Sequence, residues 1–466
     1  MGIQVVEVRS VSTVLPAKPT PPTDRYFLSN LDQVFSGQWY MNTVYYFPPP
    51  EISDPQKLVD SLKESLSKTL VHYPVLSGRI KTGEDGRLEV DFNDEGVPFK
   101  EAHVRARFDD WEDIKDCPFE LELNTEGTTI SDYSISPLLR IQINIFRCGG
   151  IAVGFSWAHA IADGWAATEF VKAWSEVHQT IPISKPPHFV STLLEARNPP
   201  QVTHSTKDYL STEKLVDSAS VNNQIPEGTP SYQTIVFRLS THQVDDLIDE
   251  VQGGPWKYGT VTAFEAVAAF TWKVMTEARD LPDSMITKYV YPISCRQRWE
   301  PQLPDGYFGN AAHMSCLPLK AGDIKKNHIS YTAKVIHDDI AQTDTKYLKS
   351  AMDWMQIELG KGRDIGFNCD YYSGADVQST SFIHFPIYET DFGWGKPLYY
   401  SFPIQDLFGD GLALVLPAPE SGRSRCVPIS MQQEHMKRLF ENELFLKFQP
   451  NLKNYEYCTK RFTLPA

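Results

Sequence analysis

No Cys-x-x-Cys pair, no run of basic residues and no apolar stretch near the ~20 residues that span a bilayer occurs in this 466-residue chain. Each absence removes a class of function. The seven cysteines (Cys117, Cys148, Cys295, Cys316, Cys369, Cys426 and Cys458) are odd in number and scattered. They argue against a disulfide scaffold or a cysteine-ligated zinc and for free thiols in a reducing compartment. No His-Glu-x-x-His occurs either, so no metal site is expected. A formal charge of −15 without a basic stripe argues against nucleic acid as a partner. Residues 1–6 lack the apolar core of a signal peptide, and Val6 stands where a myristoylation signal needs Ser or Thr. The expectation is a cytoplasmic protein with no membrane partner.

What is present reads as globular. The length exceeds one ordinary core and predicts two domains of roughly 200 residues each. After a Pro-rich extended opening, residues 54–70 carry Leu58, Leu62, Leu66 and Leu70 at every fourth position, which makes one buried helical stripe. A hairpin follows: Ile141, Ile143 and Ile145 alternate outward, Cys148-Gly149-Gly150 turns, and Ile151, Val153, Phe155 and Trp157 alternate back. Helical pattern resumes after Gly164. Between 181 and 230 the periodicity dissolves into Pro, Ser, Thr and Asn, which predicts a long crossover loop. A strand over 233–239, a helix from Thr241 and an amphipathic helix over 263–279 open the second half. The expected fold is α/β: two similar-sized domains, 1–180 and 231–466, each a mixed sheet flanked by helices.

The chemistry candidate is His159-Ala160-Ile161-Ala162-Asp163-Gly164. A His four residues before an Asp is a weak signal alone, and the chain holds its own control in His242 and Asp246. That pair falls near the start of an amphipathic helix and reads as a solvated face. His159 instead ends a buried strand, where α/β sheets present reactive groups, and small alanines flank it. Gly164 is expected to permit a tight turn. A structural core histidine is the competing reading.

Three motifs in order weigh against that reading. The stretch 154–164 resembles the His-x-x-x-Asp-Gly motif of the BAHD acyltransferases, the plant-type CoA-dependent acyl transferases. Asp391-Phe392-Gly393-Trp394-Gly395-Lys396-Pro397 resembles a second family motif, and Tyr307-Phe308-Gly309-Asn310-Ala311 a third. Supporting stretches run from Leu28-Ser29-Asn30-Leu31-Asp32 to Glu434-His435-Met436, so the resemblance spans nearly the whole chain. No His-Arg-Asp loop or Gly-rich phosphate loop accompanies the Asp-Phe-Gly triplet, which excludes a kinase.

The resemblance implies a fold like chloramphenicol acetyltransferase, with about 375–400 packed onto the first domain. It implies acyl-CoA as co-substrate with no tightly bound cofactor, a small alcohol or amine acceptor, and a monomer. His159 would be the general base. Asp163 would turn from the substrate and pair with an arginine, and both Arg296 and Arg298 are candidates. Ser294 stands where the family often has Asp, so the local ion network is expected to differ. Asp391, Gly393, Trp394 and Gly395 would be structural. Thr262, Lys273 and Lys396, with the two arginines, are candidates for holding CoA. Tyr45, Trp39, Tyr40, Phe382 and His384 are candidates for the acceptor pocket. Shikimate-acylating relatives have Arg where His384 stands, so a carboxylate acceptor is disfavoured, and Asn30-Leu31-Asp32-Gln33 resembles relatives that acylate long-chain or aromatic alcohols.

Two rivals remain at this level. Gly154-Phe155-Ser156-Trp157-Ala158 approximates a serine-hydrolase elbow, but Ser156 falls inside the alternating strand rather than at a bend. A non-catalytic accessory protein of the same fold is the other, and the intact motifs weigh against it.

Overall fold

The computed structural model describes residues 5–450, apart from 22–24, 52–53, 108–117, 213–231, 371–373, 404–408 and single positions at 38, 85, 126, 128, 206, 421 and 449. Cys117, Cys458 and most of the second half of the expected crossover therefore lie outside the described residues.

Two mixed six-stranded sheets form the frame. The first runs, edge to edge, Val6–Val14, Val97–Val104, Leu139–Phe146, Ile151–Ala158, Tyr40–Phe47 and Tyr399–Ser401. Its pairs are antiparallel except Val97–Val104 with Leu139–Phe146. The second runs Tyr232–Leu239, Arg425–Gln432, Leu412–Pro417, Val377–Ser381, Ile286–Ser294 and Ala312–Lys320. Here Val377–Ser381 is parallel to both neighbours.

The predicted stripe folds as the helix Pro55–Leu70, capped by the Asp54 carboxylate and started by a proline, with all four leucines buried. It packs with the helix Gly164–His178 on one face of the first sheet. That face takes the large residues of Ile151–Ala158, and Phe155 meets Phe170 at 5.9 Å. The other face takes Ala152, Gly154, Ser156 and Ala158, and is buried as well. Alternation of large and small explains how. The segment Pro118–Leu123 presses onto the small side chains, and Gln142 and Asn144 donate to its carbonyls at 2.7 and 2.8 Å. A Cβ on Gly154 would lie 2.0 Å from the Leu123 carbonyl oxygen, so backbone would have to move. We expect Gly154→Ala to cost about 1–3 kcal/mol, read as a lowered thermal midpoint.

The stretch 375–400 is split between the halves. Val377–Ser381 lies inside the second sheet, whereas Ile387 and Phe392 are buried in the first core and Tyr399–Ser401 is an edge strand of the first sheet. In the crossover region, Tyr209–Thr212 pairs with Asp364–Phe367. Upstream of it, Arg197 Nε donates to the buried Asp353 at 2.7 Å, fixing the loop to the helix Thr345–Gly360. A cavity of about 1550 Å³ opens between the two sheets.

Candidate active site

His159 begins a short 3-10 turn, His159–Ile161, at the end of the strand Ile151–Ala158. It is half-buried and lines the cavity, whose walls come from both halves of the chain. Its Nδ1 is sealed from solvent without a side-chain partner, which leaves Nε2 as the nitrogen offered to the cavity. Burial pushes the imidazole below its ordinary pKa. Its own main chain, the Asp163 charge and Asn310 pull part of the way back. The ring is therefore neutral near pH 7, the state a base needs.

Asp163 faces away. It caps the helix Gly164–His178 by accepting from the Ala166 N–H at 3.0 Å, and it accepts from the Ala311 N–H at 3.0 Å. Arg296 donates to both carboxylate oxygens, at 2.6 and 2.9 Å. Burial raises this carboxyl, but the Arg296 charge and the four hydrogen bonds outweigh it, and the net shift is downward. Of the two candidate arginines, Arg296 is thus the partner. Arg298 donates to the carbonyls of Ile340 and Thr343 at 3.3 Å, at the C-terminal end of the helix Ile329–Gln342. The ion pair is complete despite serine at 294, whose Oγ accepts the Arg296 N–H at 3.3 Å.

Gly164 does not serve a left-handed turn, since it lies outside the positive-φ set. It gives room instead: a Cβ there would lie 2.7 Å from the Phe385 ring and 3.3 Å from Phe382, both on the cavity wall. In the second motif Asp391 Oδ1 accepts from the Gly393 and Gly395 N–H groups at 2.7 and 3.0 Å. Both glycines have positive φ, 95° and 104°, which side-chain-bearing residues rarely adopt. Phe392 and Trp394 stack at 5.4 Å against His178 and Phe47. None of the residues 391–397 lines the cavity.

The pocket candidates divide. Trp39, Tyr40, Phe382 and His384 line the cavity, with His384 exposed at its lip. Tyr45 does not: it lies farther along its strand, fully buried, and packs against Tyr400 at 4.9 Å. The three further CoA candidates also lie outside the cavity lining. Thr262 caps the helix Ala263–Ala278 and pairs with Glu265. Lys273 donates to the carbonyls of Ile324, Lys325 and Asn327, and Lys396 is exposed on the 391–397 loop. The His242–Asp246 pair is a surface contact of 2.7 Å, as its helix position predicts. Ser156 is buried, donates to Asn124 Oδ1 at 3.4 Å and does not line the cavity, so it is not presented as a nucleophile.

Three residues matter that motif reading did not single out. Asn310 donates from Nδ2 to the His159 carbonyl at 2.8 Å and to Asp32 Oδ1 at 2.9 Å. Asp32 is fully buried and accepts from Ser29, which caps the helix Asn30–Val34. Phe35, just beyond that helix, stacks on the His159 ring with centroids 4.4 Å apart and planes 8° off parallel. Among the described residues no group of three His, Cys, Asp or Glu side chains is placed to hold a metal, and no helix is long and apolar enough to cross a membrane.

This two-sheet frame is shared with proteins of solved structure. Vinorine synthase superposes with a TM-score of 0.72 at 23% identity, covering 95% of this chain and 98% of that one. TRI101 of F. graminearum, in complex with coenzyme A and T-2 mycotoxin, gives 0.72 at 16%, covering 91% and 99%. At those identities the likeness is one of fold.

Sequence supplies the family. Residues 4–446 match the model of the family described as Transferase family, and the chain belongs to that family, the BAHD acyltransferases. It is an acyltransferase of groups other than aminoacyl groups. It is 33% identical to shikimate O-hydroxycinnamoyltransferase of Nicotiana tabacum, over 94% of this chain and 99% of that one. It is 31% identical to a hydroxycinnamoyltransferase of Narcissus pseudonarcissus, over 93% and 98%, and to rosmarinate synthase of Plectranthus scutellarioides over the same shares.

Proposed function

We propose that this enzyme transfers a hydroxycinnamoyl or other aromatic acyl group from acyl-CoA to the hydroxyl, less readily the amine, of a small acceptor. His159 acts as general base within a ternary complex. The carrying observation is the His159 imidazole opening onto a cavity walled by both sheets, its pKa pushed down by burial, while the carboxylate four residues on is engaged by Arg296.

An alcohol is a poor nucleophile at neutral pH. Its proton passes to Nε2 of His159 as its oxygen bonds to the thioester carbonyl carbon. The tetrahedral adduct then collapses, the carbon–sulfur bond breaks, and the imidazolium returns the proton to the departing CoA thiolate. No acyl-enzyme is required, and the buried Ser156 offers none.

Aromatic donors are supported by the walls Phe264, Phe382, Phe385 and Phe402, and by the names of the similar relatives. An uncharged acceptor is supported by His384 at the lip, since imidazole lacks the planar fork with which arginine grips a carboxylate. A cytoplasmic monomer with no tightly bound cofactor, as the family resemblance implies, is part of the same proposal.

The test is CoA release with p-coumaroyl-, caffeoyl-, feruloyl- and acetyl-CoA against neutral and carboxylate-bearing alcohols. Neutral alcohols should exceed carboxylate-bearing ones by about tenfold or more in kcat/KM, the size of one lost charge-assisted contact. The opposite order would remove the acceptor half of the proposal. Turnover of acetyl-CoA alone would remove the donor half.

A further inference from the structure

The torsion that spins an imidazole about its Cβ–Cγ bond is broad, so a histidine base needs something to fix its ring. A hydrogen-bonding carboxylate at Nδ1 is one device. No carboxylate holds His159 there, because Asp163 is turned to Arg296, Ala166 and Ala311. What the ring does have is a flat neighbour.

We propose that Phe35 is a positioning residue for the general base, holding the His159 ring by its face. This rests on the reading of His159 as the base. The rings lie 4.4 Å apart and 8° from parallel, so rotation of the imidazole would drive its edge into the Phe35 ring. Phe35 is itself confined: only 5% exposed, it is backed by Phe367 at 5.2 Å from the strand Asp364–Phe367. Trp39 closes the edge at 6.5 Å and 82°, and its carbonyl accepts the His159 N–H at 3.4 Å. Gly37 makes that fold possible, since a Cβ there would lie 1.7 Å from the Trp39 ring.

The mounting of Phe35 ties ring and backbone together. It follows the five-residue helix Asn30–Val34, whose Asp32 binds both the backbone N–H and the side-chain amide of Asn310. The same amide holds the His159 carbonyl. One short helix thus registers the main chain of His159 through hydrogen bonds and its side chain through the stack. Of the nearby charges, Arg296 donates to Asp163, and Asp32 accepts from Ser29 and Asn310.

The test compares Phe35→Leu, Phe35→Met and Phe35→Tyr with wild type in kcat, both KM values and thermal midpoint. The Leu and Met variants keep bulk without a flat face, so a misfolded one leaves the other to decide. We expect kcat to fall about 10–100-fold in these two, with both KM values within about threefold, as for a misplaced reacting group. Phe35→Tyr should stay within about threefold of wild-type kcat. Retained kcat in the Leu and Met variants, an equal loss in the Tyr variant, or a loss confined to KM would overturn the proposal. In a His159→Ala background, Phe35→Leu should change kcat by less than about twofold, since contacts acting through one group are non-additive. An equal loss in both backgrounds would also overturn it. Full activity of His159→Ala alone would instead strike the base reading, so the two failures are separable.

Discussion

Arg296→Ala should lower stability by about 3–5 kcal/mol near neutral pH, the cost of stranding a buried charge by deleting its partner. Asp163 is 6% exposed and accepts four hydrogen bonds, two of them from Arg296. Without the guanidinium, two backbone N–H groups remain to offset the desolvation of a carboxylate. The sign with pH follows from its lowered folded pKa. A carboxyl held below its unfolded value contributes stability above that value, about 3.9, and loses it as pH falls through the folded pKa. In the variant, burial is opposed by less and the carboxyl protonates sooner, which relieves the penalty. The gap in thermal midpoint between wild type and variant should thus be widest near pH 7 and narrow below about pH 4. Arg298→Ala is the control. It loses two long contacts to helix-end carbonyls and should cost about 1 kcal/mol. Equal midpoints for the two variants would contradict the assignment of Arg296 as the partner.

His159→Ala should reduce kcat by about 10²–10⁴-fold, the usual worth of a positioned general base. KM for both substrates should change little, because the imidazole contributes one edge of a large cavity. Wild-type kcat/KM should fall on the acid side with a midpoint below about 6.5, since burial favours the neutral ring and only that form accepts the proton. An acid limb centred above that value would mean another group is titrating.

Much of the frame was legible because its signals are local. Leu58, Leu62, Leu66 and Leu70 mark a helix wherever it packs, and large–small alternation from Ile151 to Trp157 marks a strand. The motif around His159 was legible through family resemblance, which also left two arginines open. Three-dimensional geometry alone separates them, since Arg296 and Arg298 differ by two positions and point to different elements. Tyr45 read as a pocket residue because it aligns with a family acceptor-site tyrosine within an aromatic cluster at 39–46. The cavity reaches only the start of that strand, at Tyr40, Met41 and Asn42, and Tyr45 lies farther along it, fully buried beside Tyr400. Lys273 and Lys396 read as CoA cations from charge alone, and nothing in charge tells a carbonyl-capping lysine from a ligand-binding one. Phe35 carried no signal: its stack on His159 arises where a strand end, a short helix and the strand Asp364–Phe367 from the other half meet.

The central claim is that His159 drives direct acyl transfer. The most direct measurement is CoA release from an aromatic acyl-CoA, with and without a neutral alcohol acceptor, by wild type and by His159→Ala of matched thermal midpoint. The account predicts release by wild type only when acceptor is present, and loss of that release in the variant. A folded His159→Ala enzyme that releases CoA at the wild-type rate, or a stoichiometric burst from wild type without acceptor, would contradict it.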